Sequence, residues 1–180
     1  MKKIFLVLIL FFGSINILNA EVNRIISGNK EAKITIIAYE SLTCSHCADF
    51  HKDIYPQLKK DYIDTGLVKI EFRHFPLDIA AFNASKISQC KIGKGLEILN
   101  SLYSNQQEWV RGNTAEEIND NLKIFIKNQG FDVNFEKCIN NKKIEDYVLN
   151  DRIEGTKKFK VNATPTIIIN DEKFEKTLNY

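Results

Sequence analysis

The sequence predicts an α/β protein in which two groups of strands are separated by a long helical stretch. Residues 33–39 are β-branched and apolar, and residues 68–73 alternate between apolar and polar side chains, so each run is typical of a strand. The stretch from residue 77 to residue 160 shows helical spacing of apolar residues. β-branched residues return at 166–169, just before an Asn-Asp turn.

Length and composition indicate one globular domain. The chain has 180 residues, of which 44% are hydrophobic and 27% are charged, so disorder is not expected. The formal net charge is +2, and the first 20 residues contribute Lys2 and Lys3 but no acid. The remaining chain is therefore close to neutral, which argues against a nucleic-acid partner or a polybasic membrane anchor.

The N-terminus, residues 1–20, is typical of a secretory signal peptide. Lys2 and Lys3 precede a nine-residue apolar run, and the small residue Ala20 provides a cleavage site. The alternative is an uncleaved membrane anchor, but a spanning helix needs roughly 20 apolar residues. The length of the run favours export and cleavage. Disulfides persist outside the cytosol, so paired cysteines are expected.

The first half of the chain predicts a strand–helix–strand unit with parallel strands. A short edge strand over residues 24–26 precedes it. The helix runs from Ser45 to about residue 65, with a kink at Pro56 and an end at Gly66. Pro76 ends the second strand.

The middle of the chain predicts five helices. One of them begins at Thr114 with Glu117 three residues later, which is a capping box. Asp132 is expected to cap a short helix, and a long helix follows over residues 144–159. The aromatic residues of this region are expected to lie in the core rather than to bind a ligand; they are Trp109, Phe125 and Phe135.

The stretch Cys44-Ser45-His46-Cys47 carries the predicted chemistry. Cys44 stands where a strand ends and a helix begins, and free N–H groups at a helix N-terminus favour a thiolate. Cys47 lies one turn later, close enough to form a disulfide with Cys44. His46 adds a nearby donor for the thiolate. We expect thiol–disulfide exchange at this site.

The cysteines and histidines also allow other interpretations. Cys-x-x-Cys is also half of a zinc site, but the sequence lacks a second such pair, so no metal is expected. His51 is expected to be an exposed helix residue and His74 a structural one. By elimination, Cys90 and Cys138 form a structural disulfide, with a second redox pair or two free thiols as alternatives.

A family resemblance follows from three segments. Residues 39–47, with Phe75-Pro76-Leu77 and Ala163-Thr164-Pro165-Thr166, resemble the DsbA-like thiol:disulfide oxidoreductases of the thioredoxin superfamily, which are periplasmic proteins of Gram-negative bacteria. The resemblance implies a thioredoxin fold formed by residues 21–76 and 161–180, with residues 77–160 as an inserted helical domain.

The resemblance also implies roles for the site residues. Cys44 would be the nucleophile, Cys47 the buried resolving cysteine, and Ser45-His46 the dipeptide that tunes the reduction potential. Thr164-Pro165 would form a loop with a cis peptide bond, where an extended substrate chain can add as a strand. The implied partners are exported proteins with free thiols and a membrane reoxidant of the DsbB type. Neither a cofactor nor a dimerisation segment is expected, so the protein should be a monomer.

Three features depart from the family pattern. The family often has a buried glutamate six residues before its first active cysteine, where this chain has Ala38, and the nearest acid is Glu40. Without an acid at the site, the thiolate and an oxidising pair would be favoured. Ser45 replaces a proline common in oxidases. Residues 177–180 are too short for the family's last helix, which is expected to be short or missing.

These observations predict a protein disulfide oxidase in the periplasm. A disulfide isomerase or reductase with the same dithiol is the alternative within the enzymes. An envelope binding protein that keeps the fold with little activity is the alternative from another class.

Overall fold

A five-stranded sheet forms the centre of the computed structural model, which describes residues 22–178. The strand order is β1-β3-β2-β4-β5. The strands are β1 (Ile25–Ser27), β2 (Ile34–Glu40), β3 (Val68–His74), β4 (Thr166–Ile169) and β5 (Glu172–Lys173). β2 and β3 are parallel, while β4 pairs antiparallel with both β2 and β5. The predicted parallel unit and terminal hairpin are therefore confirmed.

The helix that leaves β2 is irregular. It consists of α1 (Ser45–Asp49), a π-helical turn (Phe50–Ile54), α2 (Tyr55–Leu58) and a second π-helical turn (Lys59–Ile63). Pro56 lacks an N–H group and its ring would crowd the carbonyl four residues earlier, so the preceding turn widens. The expected irregularity at Pro56 is thus present as a wide turn.

Six further helices lie between β3 and β4. They are α3 (Ile79–Gln89), α4 (Gly95–Ser104), α5 (Gln106–Trp109), α6 (Ala115–Asn128), α7 (Phe135–Ile139) and α8 (Lys142–Phe159). Thr114 caps α6 as predicted, since its Oγ1 accepts from the Glu117 N–H at 3.2 Å. The predicted cap at Asp132 is wrong. Asn134 caps α7 instead, accepting from the Lys137 N–H at 3.0 Å.

The two faces of β2 pack against different helices. Ile36 and Ala38 join the larger core, which also contains residues of α3 to α7, including the three aromatic residues predicted there. Ile37 and Tyr39 face the smaller core beside Phe159 of α8. This alternation follows from the two-residue period of a strand, and burial on both faces explains why β2 is almost entirely apolar.

Some predictions concern residues outside the described range. The predicted signal peptide, residues 1–20, lies outside it, as do residues 21 and 179–180. Within residues 22–178, no helix is long and apolar enough to cross a membrane. Residues 174–178 form neither helix nor strand.

Candidate active site

Cys44 and Cys47 lie at the start of α1, where the loop after β2 turns into the helix. Cys44 is the N-cap residue with extended backbone angles, and its carbonyl accepts from the Ala48 N–H at 3.2 Å. Both thiols are free. Cys44 is half-buried and Cys47 is fully buried, so only the first is open to a partner.

The surroundings of Cys44 favour its thiolate. A hydrogen bond from the Cys47 thiol lowers the pKa of Cys44 to about 5, helped by backbone N–H groups of the first helical turn, while burial opposes the shift. The Thr164 carbonyl lies 3.4 Å from Cys44 Sγ, and because a carbonyl only accepts, this contact favours the protonated thiol. The donors outnumber it, so the thiolate prevails near neutral pH.

The surroundings of Cys47 act in the opposite direction. Burial raises the pKa of Cys47 far above its ordinary value, and the hydrogen bond to Cys44 and the negative charge of Glu40 raise it further. The two thiols therefore differ strongly in acidity although they are one turn apart. The outer sulfur is a thiolate at neutral pH and the inner one holds its proton.

The dipeptide between the cysteines points to solvent. Ser45 is exposed, and the His46 side chain is 81% exposed with its Nδ1 3.8 Å from Asp49 Oδ2. The contact of His46 with the thiolate is made by its backbone N–H. His46 thus contributes to the site through its main chain rather than through its imidazole.

The loop with Thr164 and Pro165 lies opposite Cys44, although it is 120 residues away in sequence. The bond between Thr164 and Pro165 is cis. Beside it, a groove of about 520 Å³ runs from the loop along the active-site helix. The groove is lined by His46, Asp49, Phe50, Asp53, Ile54, Pro165 and Leu178. The fold thus unites the predicted dithiol with the predicted substrate loop.

A buried acid lies beneath the dithiol, although the sequence left open whether one would reach it. Glu40 is 3% exposed at the end of β2, and its Oε2 is hydrogen-bonded to His51 Nε2 at 2.8 Å. The polar atoms of these two side chains that do not take part in this bond, Glu40 Oε1 and His51 Nδ1, are buried without a hydrogen-bond partner. Glu40 therefore supplies the negative charge that Ala38 cannot.

His51 is not the exposed residue that the sequence predicted. It is 9% exposed, and its ring stacks on that of Tyr103 at 4.1 Å between centroids. Tyr103 belongs to α4, a helix of the helical stretch that packs against the active-site helix. Local periodicity contains no sign of this contact, so sequence reasoning missed it.

Gln106 is a second residue that the sequence did not single out. It belongs to α5 and is 5% exposed. Its Nε2 donates to the carbonyls of Leu42 and Cys44, at 2.9 Å and 3.0 Å. A polar side chain without a motif gives no signal from which this contact could have been predicted.

The second cysteine pair is joined. Cys90, just after α3, and Cys138 in α7 form a disulfide with their Cα atoms 5.6 Å apart. The pairing expected by elimination is confirmed. Among residues 22–178, no group of three or more His, Cys, Asp or Glu side chains is arranged to hold a metal ion.

Comparison with known proteins agrees with this geometry. The family model described as Thioredoxin matches residues 20–180. The crystal structure of alpha-DsbA1 from Wolbachia pipientis is 32% identical, with a TM-score of 0.73 over 86% of this chain and 79% of that one. Disulfide bond formation protein D of Bacillus subtilis is 26% identical over 85% of this chain and 70% of its own length.

A protein of Rickettsia typhi, provisionally named a protein-disulfide oxidoreductase, is 28% identical over 156 residues. This match takes in 85% of the chain but spans little more than half, 57%, of that relative. Fold, dithiol and family match together define a member of the thioredoxin superfamily. Within that superfamily, the chain belongs to the DsbA-like thiol:disulfide oxidoreductases.

Proposed function

We propose that the protein is a thiol–disulfide oxidoreductase that introduces disulfide bonds into exported proteins. The observation that carries the proposal is the opposite character of its two thiols. Cys44 is accessible and has a pKa of about 5, whereas Cys47 is buried and its pKa is raised. The Cys44 sulfur can thus exchange with a partner thiol, while the Cys47 sulfur stays protonated and buried beneath it.

The reaction begins with the oxidised Cys44–Cys47 pair. A substrate thiolate attacks Cys44 Sγ, the bond to Cys47 breaks, and Cys47 leaves as a thiolate that takes up a proton. A second substrate thiolate then attacks the substrate sulfur of the mixed disulfide, and Cys44 leaves as a thiolate. The substrate loses two electrons and two protons. The pair gains both electrons and one proton, and the other proton goes to solvent.

The direction of the reaction follows from the leaving group. A thiol of low pKa leaves more readily, and stabilising its thiolate stabilises the reduced pair, which makes the oxidised pair a stronger oxidant. The donors around Cys44 therefore favour an oxidase over the alternative isomerase or reductase, which would use the same atoms at a lower potential. Ser45 and His46 are the dipeptide proposed to set the potential.

Glu40 is proposed as the group that exchanges the proton of Cys47. Its negative charge acts on Cys47, and its side chain is buried at the end of β2. His51 links Glu40 to the helix surface, because His51 borders a cavity that opens beside α4 and α5. The buried thiol can then gain or lose its proton while a substrate covers Cys44.

Thr164 and Pro165 are proposed to hold the substrate, because the backbone of this loop faces the reacting sulfur across 3.4 Å. We place the mature protein in the periplasm as a monomer. A membrane reoxidant of the DsbB type would accept the electrons. The curated relative in Bacillus subtilis is named for disulfide bond formation, which supports this direction. No cofactor or metal ion enters the proposal.

The proposal is tested by measuring the reduction potential of the Cys44–Cys47 pair and by replacing each of the two cysteines in turn. The mature chain is equilibrated with glutathione buffers, and thiol oxidation is followed in a reduced, unfolded model protein. Thioredoxin has a reduction potential of about −270 mV, and we expect the potential of the Cys44–Cys47 pair to be well above this value. Cys44→Ser should abolish oxidation. Cys47→Ser, mixed with the oxidised model protein, should attack one of its disulfides through Cys44 and accumulate the mixed disulfide, because no Cys47 is present to release it. Oxidation should survive in the control C90A/C138A.

Two results would contradict the proposal. A potential as low as that of thioredoxin would identify a reductase or an isomerase. If the wild type shows no measurable thiol oxidation and Cys44→Ser binds its partners as tightly as the wild type does, the protein is a binding protein rather than an enzyme.

A further inference from the structure

Gln106 links the helical stretch to the loop that carries the nucleophile. Its side chain is buried, and both of its described hydrogen bonds go to main-chain carbonyls of that loop, more than 60 residues earlier in sequence. Leu42 is 1% exposed, so its carbonyl lies in a region where water is scarce. The amide therefore satisfies a group that would otherwise lack a partner.

The second hydrogen bond reaches the nucleophile itself. The Cys44 carbonyl accepts from Gln106 and also from the Ala48 N–H, which is the first bond of α1. The Cys44 N–H in turn donates to Ser41 at 3.0 Å, which closes the preceding turn. The backbone of Cys44 is thus held from the helix, from the loop and from α5.

We propose that Gln106 is a positioning residue for Cys44, an inference that rests on the function proposed above. Its amide fixes the Leu42–Thr43 and Cys44–Ser45 peptide units, which precede and follow the Thr43–Cys44 unit. Cys44 Sγ is then directed toward the N–H groups of the first helical turn and toward Thr164. Hydrogen bonds to a thiolate weaken steeply with angle and distance, so a freer loop stabilises the thiolate less.

The amide has a second consequence for the whole site. It comes from α5, outside the strands and the active-site helix, so the oxidising strength of the pair depends in part on how α5 packs. Trp109 anchors α5, because it is fully buried and its Nε1 donates to the Leu102 carbonyl at 2.9 Å. The orientation of the Gln106 side chain is therefore well defined.

The experiment compares Gln106→Met, which keeps the volume but removes the donors, with Gln106→Ala. Gln107→Ala is the matched control, since Gln107 is exposed on the same helix. The Cys44 thiolate is titrated in the reduced full chain by its ultraviolet absorbance, and the pair is equilibrated with glutathione. We expect both Gln106 variants to raise the pKa of Cys44 by about half a unit to one unit. The equilibrium constant between the Cys44–Cys47 pair and glutathione should shift about three- to tenfold in favour of the Cys44–Cys47 disulfide.

Thermal unfolding separates positioning from general stability. Variants at Gln106 that melt earlier but titrate and equilibrate like the wild type would overturn the inference. If Gln106→Ala does not fold, Gln106→Met decides the question. The titration needs no turnover, so a wild type that oxidises no substrate yet shows the Gln106 effect would contradict only the proposed function.

Discussion

At the scale of single residues, the chemistry depends on the contrast between Cys44 and Cys47. The two side chains are chemically identical and lie one helical turn apart. Donors at the helix N-terminus surround the outer sulfur, whereas apolar burial and the charge of Glu40 surround the inner one. Position alone therefore supports the proposed roles of Cys44 as nucleophile and Cys47 as resolving cysteine.

The first residue-scale prediction concerns the acidity of Cys44. Alkylation of the reduced protein should accelerate with a midpoint near pH 5, because the pKa of Cys44 is lowered to about 5. The transition should be absent in Cys44→Ser. Rates measured by mass spectrometry across pH 3 to 10 test this, and a midpoint at the ordinary value of a cysteine thiol would contradict it.

The second residue-scale prediction concerns Glu40→Gln. Burial is the first cause of the raised pKa of Cys47, so the leaving sulfur must still take up a proton in this variant, while the group proposed to exchange that proton is lost. Single-turnover oxidation should slow by about tenfold or more, as expected for loss of a general base or acid. Glu31→Gln, at an exposed carboxylate in the turn before β2, is the matched control and should change the rate little. Equal rates in all three proteins would exclude this role for Glu40.

At the scale of elements, the helical stretch is held together by a covalent bond as well as by its core. The Cys90–Cys138 disulfide joins the end of α3 to α7 across a sequence separation of 48. Lys86 of α3 reinforces the same junction, because its Nζ donates to the Ile139 carbonyl at 2.6 Å. These contacts indicate a structural bond rather than a second redox pair.

The element-scale prediction is that C90A/C138A loses stability and keeps activity. Opening a loop of this length should lower the free energy of unfolding by about 2 to 4 kcal/mol. Chemical denaturation of the oxidised protein measures the loss. If the double variant kept its stability but lost thiol oxidation, the pair would be redox-active after all.

At the scale of the whole molecule, the fold couples stability to the redox state of the dithiol. The reduced form contains the Cys44 thiolate and the donors that stabilise it, whereas the oxidised form has no such charge. The folded pKa of about 5 is lower than the ordinary value of 9.0. The thiolate therefore stabilises the reduced fold above pH 5, increasingly up to pH 9, and this contribution is lost as the pH falls through 5.

We accordingly expect the reduced protein to melt at a higher temperature than the oxidised protein at pH 7, with a smaller difference at pH 4.5. The Cys44–Cys47 bond closes too short a loop to stabilise the oxidised form much through the unfolded chain. Calorimetry in the C90A/C138A background, where only one pair changes state, measures the difference. A difference that does not change with pH would contradict this coupling.

The division into residues 21–76 plus 161–180 and a helical insertion at 77–160 stays a prediction. α8 bears on it, because this helix packs against the sheet rather than only against other helices. A Cβ added at Gly155 of α8 would lie 2.8 Å from Tyr39 of β2. Asp151 accepts from the His74 N–H of β3 at 3.1 Å.

Features that depend on residues close together in the chain could be predicted from the amino-acid sequence. The parallel strands follow from residue periods, the cap at Thr114 from a spacing of three, and the dithiol from Cys-x-x-Cys at a strand–helix junction. The position of Pro56 likewise predicted a kink in the active-site helix.

Contacts between residues far apart in the chain could not be predicted, because they depend on how the elements pack. His51 is buried because α4 folds over it, Glu40 reaches the dithiol because β2 ends beneath it, and Gln106 meets Cys44 from 62 residues away. The choice of Asn134 over Asp132 as a cap likewise depended on where α7 could begin. Such contacts are set by the packing of whole elements, and a buried polar side chain carries no periodic signal that names its partner.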